Sequence, residues 1–349
     1  MKIAIINDTH CGIRNSSDIF LNNAEKFYRD VFFPYLLEHG IRHIVHLGDY
    51  FDNRKFVNFR ALNRNRGFFL KPLREYGMTM DIIRGNHDTY YKNTNDINSP
   101  DLLLQTYNNI KTYGEATEVN IGGLDILFLP WINQDNQDET FKTIKKTSCK
   151  VAMGHLELSG FRVNRQIIME HGLDGKLFEK FSHVYSGHYH TRSTDGRIFY
   201  LGNPYEMFWS DVEDPRGFTI LDTETMEITH VDNPHRLFFN IYYEDTNYKL
   251  FDTTKYKNKI VKVIVKKKTN AKQFDKFLDK LYASDVEEIK IVENFNFIGG
   301  DDVEDEETLE SEDTLSILNR YIQESDFGMD KSKVQSMVKE IYQEACEIL

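Results

Sequence analysis

Five short apolar runs, each closed by residues that can bind a metal or move a proton, constrain this chain more than any other feature. The sharpest is Met80–Asp88, MDIIRGNHD. Met78, Met80, Ile82 and Ile83 read as a buried strand that stops at Gly85, and Asn86, His87 and Asp88 follow at once. A carboxamide, an imidazole and a carboxylate are costly to pack as core. The carboxyl end of a strand is where open α/β sheets build their sites. The same arrangement recurs along the chain. Lys2–Asn7 is followed by Asp8 and His10, and Ile41–Leu47 by Gly48, Asp49 and Asp52. Val151–Met153 is followed by Gly154 and His155, and Val184–Ser186 by Gly187, His188 and His190.

Between these runs the periodicity predicts a helix over Ser16–Glu38, stopping near Gly40, and a basic helix over Phe56–Arg74 that Pro72 ends or kinks. A hairpin is expected at Thr117–Ile121 and Leu124–Leu129, and a short helix at Asp138–Lys146. Arg197–Leu201, Gly217–Leu221 and Glu227–Val231 read as one closing antiparallel set. After Pro234 the pattern changes to strand, strand, helix, strand over Phe238–Val292, a small α+β unit. Gly299–Asp313 is too polar to fold alone and reads as a linker. Beyond it, Leu315, Leu318 and Ile322 form one amphipathic stripe, and Val334 to Ile348 a second.

Charge excludes less than it first suggests. The formal net charge is −12, yet nine acids and no Lys or Arg fall in Gly299–Asp313, so the rest of the chain is close to neutral. Local basic patches can still attract phosphate. No apolar run approaches the ~20 residues of a membrane span. The first strand begins at Lys2, which leaves no room for a cleaved leader, and three widely spaced cysteines suit a reducing compartment. A cytoplasmic location is expected.

With His87 and Asp52 set aside for other work, seven donors remain: Asp8, His10, Asp49, Asn86, His155, His188 and His190. A mixed oxygen and imidazole set suits borderline divalent ions such as Mn, Fe or Zn. Seven donors exceed one ion's shell but suit two ions about 3.5–4 Å apart that share a carboxylate.

The ordered set DxH, GDxxD, GNHD, GH, GHxH, over residues 1–235, resembles the calcineurin-like metallophosphoesterase superfamily. Within it the chain is most similar to the SbcD-type double-strand-break repair nucleases, and in length to the phage recombination endonuclease subunits among them. The resemblance implies an α+β fold, a four-layer α/β/β/α sandwich over 1–235. A small α+β capping domain over 236–297, an acidic linker at 298–313 and a C-terminal helical segment at 314–349 would complete it. It implies one metal on Asp8, His10, Asp49 and His190, and another on Asp49, Asn86, His155 and His188, with manganese preferred and magnesium an alternative. His87 would then face the scissile phosphate, with Asp52, or failing it Asp88, as the carboxylate that orients it.

The resemblance implies DNA as the substrate, cut from duplex ends in the 3′ to 5′ direction and internally in single strands. Seven cations and no acid lie in Asn53–Arg74, with Arg54, Lys55, Arg60, Arg64 and Arg66 nearest the metal site and phenylalanines between them. A solvated face over core phenylalanines is the plainer reading. Lys255–Lys268 holds seven lysines, and Met207, Phe208 and Trp209 either stack on a nucleotide or pack in the core. The resemblance also implies an SbcC-like SMC-type ATPase docked on the C-terminal helices, a homodimer, and no membrane. Two rival functions share these residues: hydrolysis of a phosphoester other than DNA, and a scaffold that tethers DNA ends with a vestigial site.

Overall fold

The computed structural model describes residues 1–293 other than 166, 245, 247, 248 and 267–269. Beyond 293 it describes only Ile322, Lys331, Val334, Gln335, Met337 and Val338, each helical. The expected linker and most of both C-terminal stripes lie outside the described residues. The chain divides into two compact units, 1–264 with 268–291, and 265–267 with 292–349.

Two six-stranded sheets carry the first unit. The first comprises β1 (Lys2–Ile6), β2 (His43–His46), β3 (Thr79–Ile83) and β4 (Ile110–Tyr113), all parallel, extended past β1 by the antiparallel β11 (Gly217–Asp222) and β12 (Ile228–Asp232). The second comprises the hairpin β5 (Thr117–Ile121) and β6 (Leu124–Leu129), the parallel strands β7 (Val151–His155), β8 (His183–Gly187) and β10 (Ile198–Tyr200), and β9 (Ser193–Thr194) at its edge. Alternation along the strands explains the layers. Ile3, Ile5, Val45 and Ile83 face Ile126, Phe128, Val151, Met153 and Tyr185 in a core between the sheets. Ala4, Ile6, Ile44, Met80 and Ile82 face outward against helices, and Leu127, Leu129, Ala152 and Val184 do the same on the far side. A strand buried on both faces reads as a continuous apolar run, the pattern seen in sequence. The expected four-layer α/β/β/α sandwich is what forms.

The predicted closing antiparallel set splits between the sheets. Residues 198–200 pair parallel with β8, whereas 217–232 form a hairpin beside β1. Apolar alternation gives a strand its faces but not its neighbours, so three adjacent runs look alike in sequence.

Both long helices differ from expectation in one way. Tyr28–Phe32 separates the α-helical stretches Asp18–Phe27 and Phe33–Glu38 as a π turn, and Arg66–Leu70 separates Phe59–Asn65 from Lys71–Glu75. Each π turn is followed two residues on by a proline, Pro34 or Pro72. A proline has no N–H to give and crowds the carbonyl four residues back. The wider turn absorbs that conflict, so Pro72 neither ends nor breaks the helix. The two helices meet through these turns, with the Tyr28 ring 4.6 Å from Phe69.

β13 (Phe238–Tyr242), β14 (Ile260–Val265) and β15 (Glu288–Glu293) form a separate three-stranded sheet. Phe274, Phe277 and Leu281 of the helix Ala271–Tyr282 are its buried stripe. The buried Glu206 carboxylate ties this sheet to the sandwich, accepting from the backbone N–H of Leu237 (2.6 Å) and Phe238 (2.9 Å) and pairing with Arg236.

Candidate metal centre

The strand ends of both sheets meet along one edge of the sandwich. The first sheet brings Asp8, His10, Asp49 and Asn86, and the second brings His155, His188 and His190. Three sets of side chains each place their ligand atoms within 4.8 Å of one another: Asp8, His10 and His190; His10, Asp49 and His87; Asp49, His155 and His188. Asp49 belongs to two of them. Its Oδ1 accepts from the His87 N–H at 2.8 Å, and its Oδ2 lies 3.2 Å from His155 Nε2 and 3.8 Å from His10 Nε2. The Asn86 amide oxygen lies 2.9 Å from His155 Nε2 and 3.0 Å from His188 Nδ1. His10 Nε2 and His190 Nε2 face each other at 3.2 Å.

The backbone bends to make this possible. Asp8, His10, Asp49 and His188 all have positive φ, at 50°, 39°, 55° and 88°. Left-handed conformations at non-glycine residues gather where function over-determines the backbone. Gly85 lets β2 and β3 end side by side: a Cβ there would sit 2.0 Å from Asp49 Oδ1.

Electrostatics sets the donors apart from one another. Burial raises the Asp49 carboxyl, but the imidazoles of His155 and His87 outweigh it and hold it well below the usual range. Burial lowers His155, and Asp49 and Asp8 overcome that, pushing it up to about 9. Burial dominates at His188, held well below its ordinary value, and at His190, lowered to about 3, leaving both as neutral imidazoles. His155 Nδ1 lies 2.7 Å from the Leu47 carbonyl, an outer hydrogen bond that turns Nε2 inward. Two carboxylates, an amide oxygen and four imidazoles converging in a buried place fit divalent cations.

The residues reserved for His87 are placed differently from expectation. His87 Nδ1 donates to the main-chain carbonyl of Asp52 at 2.6 Å, while the Asp52 carboxylate lies 3.5 Å from His10 Nδ1. The Asp88 carboxylate is engaged with the backbone instead. It is buried and accepts four N–H groups, from Asp49 (2.8 Å), Gly85 (2.9 Å), Tyr50 (3.0 Å) and Phe51 (3.2 Å). Burial and the nearby Asp49 push its carboxyl up to about 6 against those bonds. One side chain thus ties the loop after β2 to the loop after β3. Asp88→Ala should strand these donors and cost about 2–4 kcal/mol of stability, read as a lowered urea midpoint.

The basic stretch is partly spoken for. Arg60 pairs with Asp18 at 2.7 Å, and Arg64 with Glu25 and, at 3.5 Å, Asp18. Lys55 and Arg66 are exposed and make no ion pair among the described residues. Arg54 buries one guanidinium nitrogen without a hydrogen-bond partner. Of the later lysines, Lys257 pairs with Asp285 and Lys262 lies over the Trp209 ring. Met207 and Phe208 are buried in the core, so packing is the reading that holds for them. Phe208 stacks against His190 at 5.9 Å.

Several contributors carry no sequence signal. Asn7 donates to Asp8 Oδ2 at 2.5 Å, and the buried Arg216 bonds Asn203, Asp211 and Asp214 beside the His190 loop.

Strand-end carboxylates and imidazoles gathered on a two-sheet sandwich define a metal-dependent phosphoesterase. The chain belongs to the calcineurin-like phosphoesterase family, whose model matches residues 1–192. It is 30% identical over 324 residues to exonuclease subunit 1 of Enterobacteria phage T4, covering 92% of each chain. Among solved structures, an archaeal phosphodiesterase is similar at 14% identity (67% of this chain, 100% of that one, TM-score 0.33). Pseudomonas putida nuclease MPE is similar at 18% (57% and 67%, TM-score 0.28). The chain is a metal-dependent hydrolase of phosphoesters. No described helix is long and apolar enough to cross a membrane.

Proposed function

We propose that this protein is the nuclease subunit of an SbcCD-like recombination complex, hydrolysing DNA phosphodiesters with two divalent ions, manganese preferred. The observation that carries the substrate is the similarity to a phage exonuclease subunit along 92% of both chains. Asp49 groups with His155 and His188 on one side and with His10 on the other, which supports a carboxylate shared by a pair of ions.

In this reading one ion is held by Asp8, His10, Asp49 and His190, and the other by Asp49, Asn86, His155 and His188. Bound there, the ions would activate a water for attack and neutralise phosphate charge. The chain's own residues do the rest. Asp49 Oδ1 stays fixed by the His87 N–H, so Oδ2 is aimed between the two sets. As an imidazolium, His87 would keep Nδ1–H on the Asp52 carbonyl and give its Nε2 proton to the departing oxygen, becoming neutral. His87 is half-buried, as a group that meets substrate must be. Lys55 and Arg66, with Arg54, would track the strand's phosphates. The substrate would be duplex ends, digested 3′ to 5′, and internal bonds of single strands. The small domain at 236–297 would cap this site. An SbcC-like ATPase would dock on the helical segment 314–349 beyond the linker at 298–313, in a homodimeric assembly in the cytoplasm, the host's if the protein is phage-encoded.

The test compares an end-labelled oligonucleotide with bis(4-nitrophenyl) phosphate, each with manganese. The double change Lys55→Glu, Arg66→Glu should cut oligonucleotide cleavage about 10-fold or more at moderate salt and flatten its salt dependence. Hydrolysis of the small diester should stay within about 2-fold. Hydrolysis of the small diester with no oligonucleotide cleaved by the unchanged protein would reject the nuclease reading.

A further inference from the structure

Trp131 stands apart from the chain's other tryptophan. Trp209 packs against the first core cluster, whereas Trp131 belongs to none of the three apolar clusters. It is half-buried, just past β6. Its ring centroid lies 5.3 Å from that of His188, tilted by 40°, and 6.1 Å from that of His155. One part of the indole therefore covers two imidazoles of the Asp49, His155 and His188 set, and the rest meets solvent.

The backbone holds the ring there from three directions. The Trp131 N–H donates to the Arg84 carbonyl at 2.8 Å, and its carbonyl accepts from Asn95 Nδ2 and Asn136 Nδ2, both at 3.0 Å. Asn133 Nδ2 in turn donates to Asn95 Oδ1 at 2.8 Å. The ring thus lies outside every core cluster, on a main chain that a largely buried amide network fixes. The segment supplying Asn95 also carries Tyr90 and Tyr91, exposed and edge to face at 4.7 Å.

We propose that Trp131 is a stacking platform for an unpaired nucleobase next to the scissile phosphate, on the His188 side of the centre. The inference rests on the nuclease reading and deepens it. Cations grip phosphates alike in duplex and single strand. A π face beside them is useful only to a base whose own face is free. Trp131 thus makes the enzyme sensitive to whether that base is paired.

The experiment uses the full chain with manganese, a single-stranded oligonucleotide, and the same strand with one abasic residue at the cleavage position. The unchanged enzyme should cut the abasic strand roughly 5- to 150-fold more slowly, the range of one lost base–aromatic stack. Trp131→Ala should cut the intact strand that much more slowly and no longer distinguish the two, while Trp131→Phe keeps most of the difference. A binding readout is separate from turnover. With Trp209→Phe, Trp131 becomes the sole tryptophan, and its fluorescence should be quenched by the intact strand in EDTA and less by the abasic one. Equal loss on both strands in Trp131→Ala, or fluorescence blind to the base, overturns the proposal and leaves Trp131 a support for its histidines. If the unchanged enzyme cuts neither strand, the nuclease reading fails, and this inference falls with it.

Discussion

Asp49→Asn should lower kcat/KM for any phosphodiester by at least about 1,000-fold, the scale of several kcal/mol of lost charge stabilisation. The side chain has one oxygen fixed by the His87 N–H at 2.8 Å and the other turned toward His155 at 3.2 Å and His10 at 3.8 Å. Asparagine fills the same space but carries no charge, and an NH2 group replaces an oxygen that two donor sets share. On the proposed two-ion site, metal analysis after dialysis should fall to one ion per chain or none. The loops themselves should stay in place, because Asp88, not Asp49, gathers the four backbone N–H groups beneath them. Full activity in this variant would remove Asp49 from the centre.

His87→Ala should lose about 10²- to 10⁴-fold on an oligonucleotide, the usual range for a general acid. Its metal content should not change, because neither proposed ion site uses His87. The diagnostic is the leaving group. A sugar oxygen departs as a poor alkoxide and needs a proton, which His87 supplies in the proposed mechanism. A 4-nitrophenolate departs readily without one, so bis(4-nitrophenyl) phosphate should lose far less. An equal loss on both substrates would make His87 a ligand or a phosphate binder rather than a proton donor.

The donors were legible in sequence because each sits directly past a short apolar run, and a strand buried on both faces leaves little else to infer. The two-layer core was legible in part. Ile3 and Ile5 can be assigned to one face and Ala4 and Ile6 to the other, but not which sheet they meet. What stayed hidden depends on direction and on distant partners. Nothing in the string says that the Asp88 carboxylate points under the loop after β2, or that Asp52 offers His87 its carbonyl rather than its side chain. Arg60 reads as a free cation because Asp18, its partner, lies 42 residues earlier. Trp131 reads as an isolated aromatic because its neighbours, His155 and His188, arrive from later strands.

The division of donors between the two sheets has a mechanical side. Both carboxylates and the amide oxygen come from one sheet, and three of the four imidazoles from the other. The centre is therefore a seam, and its geometry measures how the sheets are seated on each other. A bulkier residue at Val45 or Met153, deep in the core between the sheets, could slide one layer against the next. That slip would part acid from base and disable the chemistry while leaving each donor loop intact.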